Sequence, residues 1–193
     1  KAWLESNTEN IGAALAKQYP GNAARAEAMY TQVVEAFTWH LPPSSKEDVA
    51  PEKNGHLTGL TTGGPQNKQL KVDCDVLATY GVRLLVASGF TPIGYMAIKP
   101  KDKNRLPHAM ALLKLGNNFR AISNSTTRDL GAVTKNDALE LLRDFGIDEA
   151  YDADNELKSY DIFYMDCDAK GTLPDAVLKQ VIDGPAHNKG LSK

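Results

Sequence analysis

The chain has 193 residues, of which 42% are hydrophobic and 24% charged, and its formal net charge is −2. That composition suits one compact domain, residues 1–193, with its own core, and argues against disorder. It lacks the basic excess that would favour nucleic acid or an anionic membrane surface, and no apolar run nears the roughly 20 residues needed to span a bilayer.

No signal peptide is visible; the chain opens on Lys1 in place of Met, which fits a fragment or processed form of a longer protein. Its two cysteines, Cys74 and Cys167, belong to no CxxC pair and no Cys/His cluster with zinc spacing. Neither a disulfide framework nor a metal or other cofactor is expected.

In chain order, "TENIGAALAKQ" (Thr8 to Gln18) reads as a helix stopped by Pro20-Gly21. Ala23 to Trp39 reads as a longer one, with Met29, Val33, Val34 and Phe37 forming a buried stripe. These are the N-terminal helices of residues 1–40. His40 to Lys71 is rich in Pro, Gly, Ser and Asn and reads as a long loop running into Cys74. Asp73 to Ser88 is a helix, with Gly89 as its stop. Ile93 to Lys99 reads as a strand, and "KPKDKNR" as a solvated connection. His108 to Leu115 and Phe119 to Asn124 read as a hairpin around Gly116-Asn117-Asn118. Thr134 to Phe145 is a helix, Tyr160 to Asp166 a strand, and Pro174 to Ile182 a last helix. Helices followed by consecutive strands predict an α+β fold with a mainly antiparallel sheet packed on helices.

The chemistry centres on "KVDCDVLATYGVRLLVASG" (Lys71 to Gly89), where Cys74 falls at a helix start. The thiolate is the nucleophile, and a helix N-terminus favours it through unpaired N–H groups and a partial positive charge. Asp73 and Asp75 suit helix capping, but their charges oppose a thiolate, so an imidazole is needed to take the proton. His40, His56 and His187 lie in or beside polar loops. His108 instead opens a strand 34 residues after Cys74, which leaves room for a helix, a strand and a return.

An imidazole base also needs an orienting acceptor. A three-residue hairpin loop pairs Leu115 with Phe119 and Met110 with Asn124, so Asn124 becomes the diagonal neighbour of His108. A two-residue loop, Gly116-Asn117, brings Ser123 there instead. Asn124 is the preferred residue and Ser123 the alternative.

"VDCDVLATYGVRLLVASGFTPIGYMAI" with "PHAMALLKLGNNFRAISNST" resembles the core of the transglutaminase-like superfamily, which has the papain-like cysteine-hydrolase fold. The resemblance covers about residues 71–126, less than a third of the chain, and rests on order, spacing and the helix-start motif. It implies Cys74 as nucleophile, His108 as base, Asn124 or Ser123 as third residue, and a catalytic core over residues 71–126. The family's usual Asp is absent from the third position, and Met110 stands where an aromatic is familiar. Papain-like enzymes place a Gln before the cysteine as oxyanion donor, for which Gln66 and Gln69 are candidates.

The resulting expectation is a cysteine peptidase, amidase, or glutamine deamidase or transglutaminase acting on a protein or peptide. The alternatives are a cell-wall amidase of the NlpC type, acting on a peptidoglycan peptide, and a non-catalytic scaffold of the same fold. A secreted or translocated bacterial effector module is a further expectation that Lys1 permits.

Two other motifs carry less. "DCDAKGTLPDAV" (Asp166 to Val177) starts like a calcium loop but has Lys170 at the fifth and Val177 at the twelfth place. "TTGGPQNK" lacks the ending of a phosphate-binding loop and follows no strand. Cys167 reads as structural.

Overall fold

The structure, a computed structural model, describes residues 2–39, 70–72, 74–102, 105, 107–123, 126–132, 134–151 and 159–173. Helix α1 spans Ala2–Gln18 and stops short of Pro20, as the sequence predicts. It starts six residues before the expected Thr8, because the preceding Ala, Leu and Glu are strong helix formers with no breaker among them. Helix α2 spans Asn22–Ala36, with Met29 fully buried. It ends three residues before the expected Trp39. Phe37, Thr38 and Trp39 instead form strand β1 (Phe37–Trp39), parallel to β2 (Leu70–Val72), with Phe37 opposite Leu70 and Trp39 opposite Val72. Aromatic and β-branched residues favour a strand once a partner exists, and that partner is distant in sequence. The final helix expected over residues 174–182 lies outside the described residues.

Helix α3 spans Cys74–Ala87, one residue inside each expected end. Gly89, at φ 101°, supplies the left-handed residue that turns the chain out of it. Strands β3 (Thr91–Pro100), β4 (His108–Leu115), β5 (Asn118–Ser123), β6 (Thr126–Asp129) and β7 (Tyr160–Asp166) form one sheet in the order β6-β5-β4-β3-β7. Every pairing in that sheet is antiparallel, so the α+β reading holds. Strand β6 escapes the sequence reading because "TTRD" is an exposed edge without apolar alternation.

Helix α4 spans Lys135–Tyr151, with Thr134 capping it: the Thr134 hydroxyl accepts the Asp137 N–H at 3.2 Å. The sequence suggests an end at Phe145, ahead of Gly146. Gly146 is instead a packing point inside the helix: a Cβ there would sit 2.2 Å from Met110 Sδ and Cε. The missing side chain lets α4 lie close on the sheet and carry on for another turn.

The sheet has helices on both faces. Tyr95, Ala111, Leu113, Ile122 and Met165 pack under α3 with Leu77, Ala78, Leu84 and Leu85, and Leu15 of α1 and Met29 of α2 complete that layer. The opposite face carries Met96, Ile98, Met110, Leu112 and Ala121 against Ala138, Leu139, Leu142 and Ile147 of α4. Each of the larger buried side chains stabilises by about 2 kcal/mol, against about 1 kcal/mol for a ladder hydrogen bond. A one-residue slip would exchange the two faces, so these clusters fix the register on which the site depends.

Candidate functional site

The hairpin between β4 and β5 decides which residue faces His108. Its loop has two residues, Gly116 and Asn117, with Leu115 opposite Asn118 and Met110 opposite Ser123. Gly116 takes φ 60°, the left-handed geometry that a two-residue hairpin needs to follow the strand twist. The three-residue loop that placed Asn124 diagonal to His108 is therefore corrected, and Ser123 takes that position. Asn124 itself lies outside the described residues.

His108 opens β4 and is 5% exposed; Ser123 ends β5 and is fully buried. The His108 Nε2 and Ser123 Oγ atoms are 2.6 Å apart, a short hydrogen bond. Alternation along β4 puts the imidazole on the face of Met110 and Leu112, beneath α4. Burial holds the His108 pKa down at about 4 from 6.5, because charging the ring would desolvate a cation. The ring is neutral at physiological pH. With Nε2 engaged by Ser123, Nδ1 is the nitrogen left to accept a proton.

Cys74 is the first residue of α3, is half-buried and forms no disulfide. Its Sγ accepts the backbone N–H of Ala109 at 3.4 Å. The sulfur thus meets β4 at its first turn of chain, beside the backbone of His108. Helix α3 packs on the sheet face opposite to the imidazole, and the sulfur reaches the β4 backbone one residue after His108. The described hydrogen bonds join His108 to Ser123 and Cys74 to the Ala109 backbone.

Two residues at the end of α4 join this region without having been read from the sequence. The Tyr151 hydroxyl donates to the Ile98 carbonyl at 3.2 Å, and Ile98 is the cross-strand partner of His108. The Tyr151 ring lies 5.1 Å from that of Tyr160. Burial raises the Tyr151 pKa, and a negative charge on Cys74 would raise it further, while Arg105 opposes both. The phenol is therefore within electrostatic reach of the sulfur. Two residues earlier, Glu149 Oε1 lies 2.7 Å from the Thr126 hydroxyl, which also lies 2.9 Å from the Ser123 carbonyl oxygen. The signal that would have found both residues is a helix running through Gly146.

Gln66 and Gln69, the oxyanion candidates, and Asp73 lie outside the described residues. Cys167 follows β7, far along the chain from the His108 pair, and burial foremost, then the Asp168 carboxylate, pushes its thiol up to about 11. In the segment that began like a calcium loop, Asp168 Oδ1 accepts the N–H groups of Lys170 and Thr172 at 2.9 and 2.8 Å, so its carboxylate organises a turn. Asp166 instead pairs with Lys135 at 2.6 Å. Among the described residues, no three His, Cys, Asp or Glu side chains gather into a potential metal site, and no helix is long and apolar enough to cross a membrane.

No protein-family model matches the chain, and no curated protein or solved structure matches it either.

Proposed function

We propose that this chain is a thiol-dependent hydrolase or acyltransferase acting on an amide, with a papain-like arrangement of the transglutaminase-like kind. The observation that supports this reading is the contact between Cys74 Sγ and the N–H of Ala109, the residue that follows His108, whose imidazole is buried and neutral. In the proposed reaction, Cys74 Sγ attacks the carbonyl carbon of a peptide, isopeptide or glutamine side chain. His108 Nδ1 takes the thiol proton and passes it to the leaving nitrogen as the C–N bond breaks. Water then attacks the thioester, giving a carboxylic acid and restoring the thiol. An amine in place of water gives a new amide.

Ser123 supplies the orienting partner of the ring. Unlike a carboxylate, it brings no charge to stabilise an imidazolium. The proton therefore moves as the sulfur attacks, with no stable thiolate–imidazolium pair beforehand. The first turn of α3 adds the field of a helix N-terminus, which favours negative charge on sulfur.

Iodoacetamide labelling across pH, with the modified sites mapped, tests this reading. Cys74 is expected to react faster than an ordinary thiol at pH 6, and His108→Ala to remove that excess. Ordinary reactivity of Cys74, unchanged in His108→Ala, would sink the catalytic reading. Turnover of peptides, muropeptides and glutamine donors then separates the substrate classes.

A further inference from the structure

The end of the sheet where Cys74 meets β4 carries cations as well as the thiol and the imidazole. Ala97 pairs with Ala109, whose N–H the sulfur engages, and Lys99 stands two residues further along β3 on the same face. Diagonal neighbours on one face of a ladder lie about 7–8 Å apart, so the exposed Lys99 starts close to the sulfur. Its cross-strand partner on β7 is Asp161, which offsets part of that charge.

Arg105 approaches from the connection between β3 and β4. Its guanidinium and the sulfur both act electrostatically on the Tyr151 phenol, whose hydroxyl donates to the carbonyl of Ile98, the partner of His108. Arg105 and Cys74 therefore lie near one phenol. Arg105 Nε lies 4.0 Å from Asp102 Oδ2, with the two side chains 47% and 54% exposed. So long and exposed an ion pair contributes little, and the guanidinium keeps most of its attraction for another anion.

The thiol chemistry needs neither cation. What the two fit is a substrate with negative charge of its own. In a peptide that charge is a carboxylate, which a planar guanidinium matches through two parallel hydrogen bonds. We propose that Arg105, supported by Lys99, binds a carboxylate of the substrate, so that the preferred amide belongs to an acidic peptide. The carboxylate sits on a side chain or at the C-terminus. The substrate class rests on the thiol chemistry proposed above, whereas the carboxylate site itself does not.

Iodoacetate and iodoacetamide test this on Cys74 in the intact chain. They alkylate the same sulfur and differ by one carboxylate, so the ratio of their rates cancels any change in the thiolate fraction. The ratio is expected to be higher in the folded protein than in urea, where Asp73 and Asp75 remain neighbours of the sulfur. Arg105→Gln should lower it about fivefold at low salt, and Lys99→Gln about twofold, as partly screened cations several Å away would. Asp161→Asn, which removes an opposing charge, should raise it. Lys17→Gln should leave it unchanged, because Arg25 ties that end of α1 to the far end of α3.

Two peptides then locate the carboxylate. An acetylated, amidated glutamyl peptide carries it on the side chain alone, and an acetylated glycyl peptide with a free C-terminus carries it at the end alone. Whichever slows iodoacetamide labelling of Cys74 in the wild type, and not in Arg105→Gln, names the source. An unchanged ratio in Arg105→Gln, an equal fall in Lys17→Gln, or protection by neither peptide overturns the proposal. A ratio that falls in Arg105→Gln while Cys74 meets iodoacetamide like an ordinary thiol upholds the carboxylate site and removes the thiol chemistry.

Discussion

His108 Nε2 and Ser123 Oγ meet at 2.6 Å in the interior of the protein, between the first residue of one strand and the last of the next. The pair ties the buried end of the β4–β5 hairpin together and leaves one ring nitrogen for other work. Ser123→Ala removes the only described side-chain partner of the ring and leaves Nε2 buried and unsatisfied. The expected cost is about 1–3 kcal/mol, measured by urea unfolding, together with slower labelling of Cys74. Unaltered stability and unaltered labelling would show that the pair is incidental.

Acid should weaken the fold through His108. Its folded-state pKa, about 4, lies below the ordinary value of 6.5, so between these limits the unfolded chain binds the proton more readily. Stability is therefore greatest above about pH 6.5 and falls as pH drops toward 4, by about 3 kcal/mol from this residue alone. His108→Gln, which cannot titrate, should flatten that part of the pH dependence of urea unfolding. A slope equal to that of the wild type would contradict the buried neutral ring.

The two cysteines give an internal comparison. Cys167 is pushed up to about 11 by burial first and by Asp168 next, so very little of it is thiolate at neutral pH. Mass spectrometry after brief iodoacetamide treatment at pH 7 should therefore find Cys74 labelled and Cys167 intact. Cys167→Ser should leave the Cys74 rate unchanged. Preferential modification of Cys167 would reverse this ordering.

Gly146 governs how closely α4 approaches the sheet. In Gly146→Ala the new methyl would meet Met110 Sδ and Cε at 2.2 Å, with Ile98 Cδ1 at 3.0 Å. Met110 is flexible but fully buried, so its side chain has no open space into which to move. The expected destabilisation is about 1–3 kcal/mol, read by thermal or urea unfolding. Trimming Met110 in the same protein should recover part of that loss, which a helix-propensity effect of alanine would not predict.

Arg25 joins two helix ends on the other face. Its guanidinium donates to the carbonyl oxygens of Tyr19, Ser88 and Ala16, the last two at 2.9 and 3.2 Å. These carbonyls belong to the terminal turns of α1 and α3, where backbone acceptors lack helical partners. Arg25→Met is expected to destabilise by about 2–3 kcal/mol, since charged donors to carbonyls outweigh neutral ones. Arg25→Lys should recover only part, because one ammonium lacks the planar fork that reaches all three. Equal stability of Arg25→Lys and the wild type in urea would show that charge alone suffices.

Much of this protein was legible from local pattern. His108–Leu115 and Tyr160–Asp166 were read to the residue, because apolar runs bounded by turn residues have few other solutions. The start of α3 was legible to within one residue, Asp73 expected against Cys74 found, from the neighbouring capping residues and the apolar period that follows, and the sequence alone singled out Cys74 and His108 as a pair worth testing. Only the tertiary structure decided what surrounds them. The hairpin register turns on one residue of loop length, and sequence allowed both Asn124 and Ser123 until burial of the two sheet faces chose one. Phe37–Trp39 left the helix for a strand because Leu70–Val72, some thirty residues away, offered a partner. The helix expected to end at Phe145 runs on through Gly146, a close contact with Met110, to Glu149 and Tyr151. Local propensity is written in adjacent residues, whereas register, close approach and the company of a buried imidazole depend on which distant surfaces exclude water together.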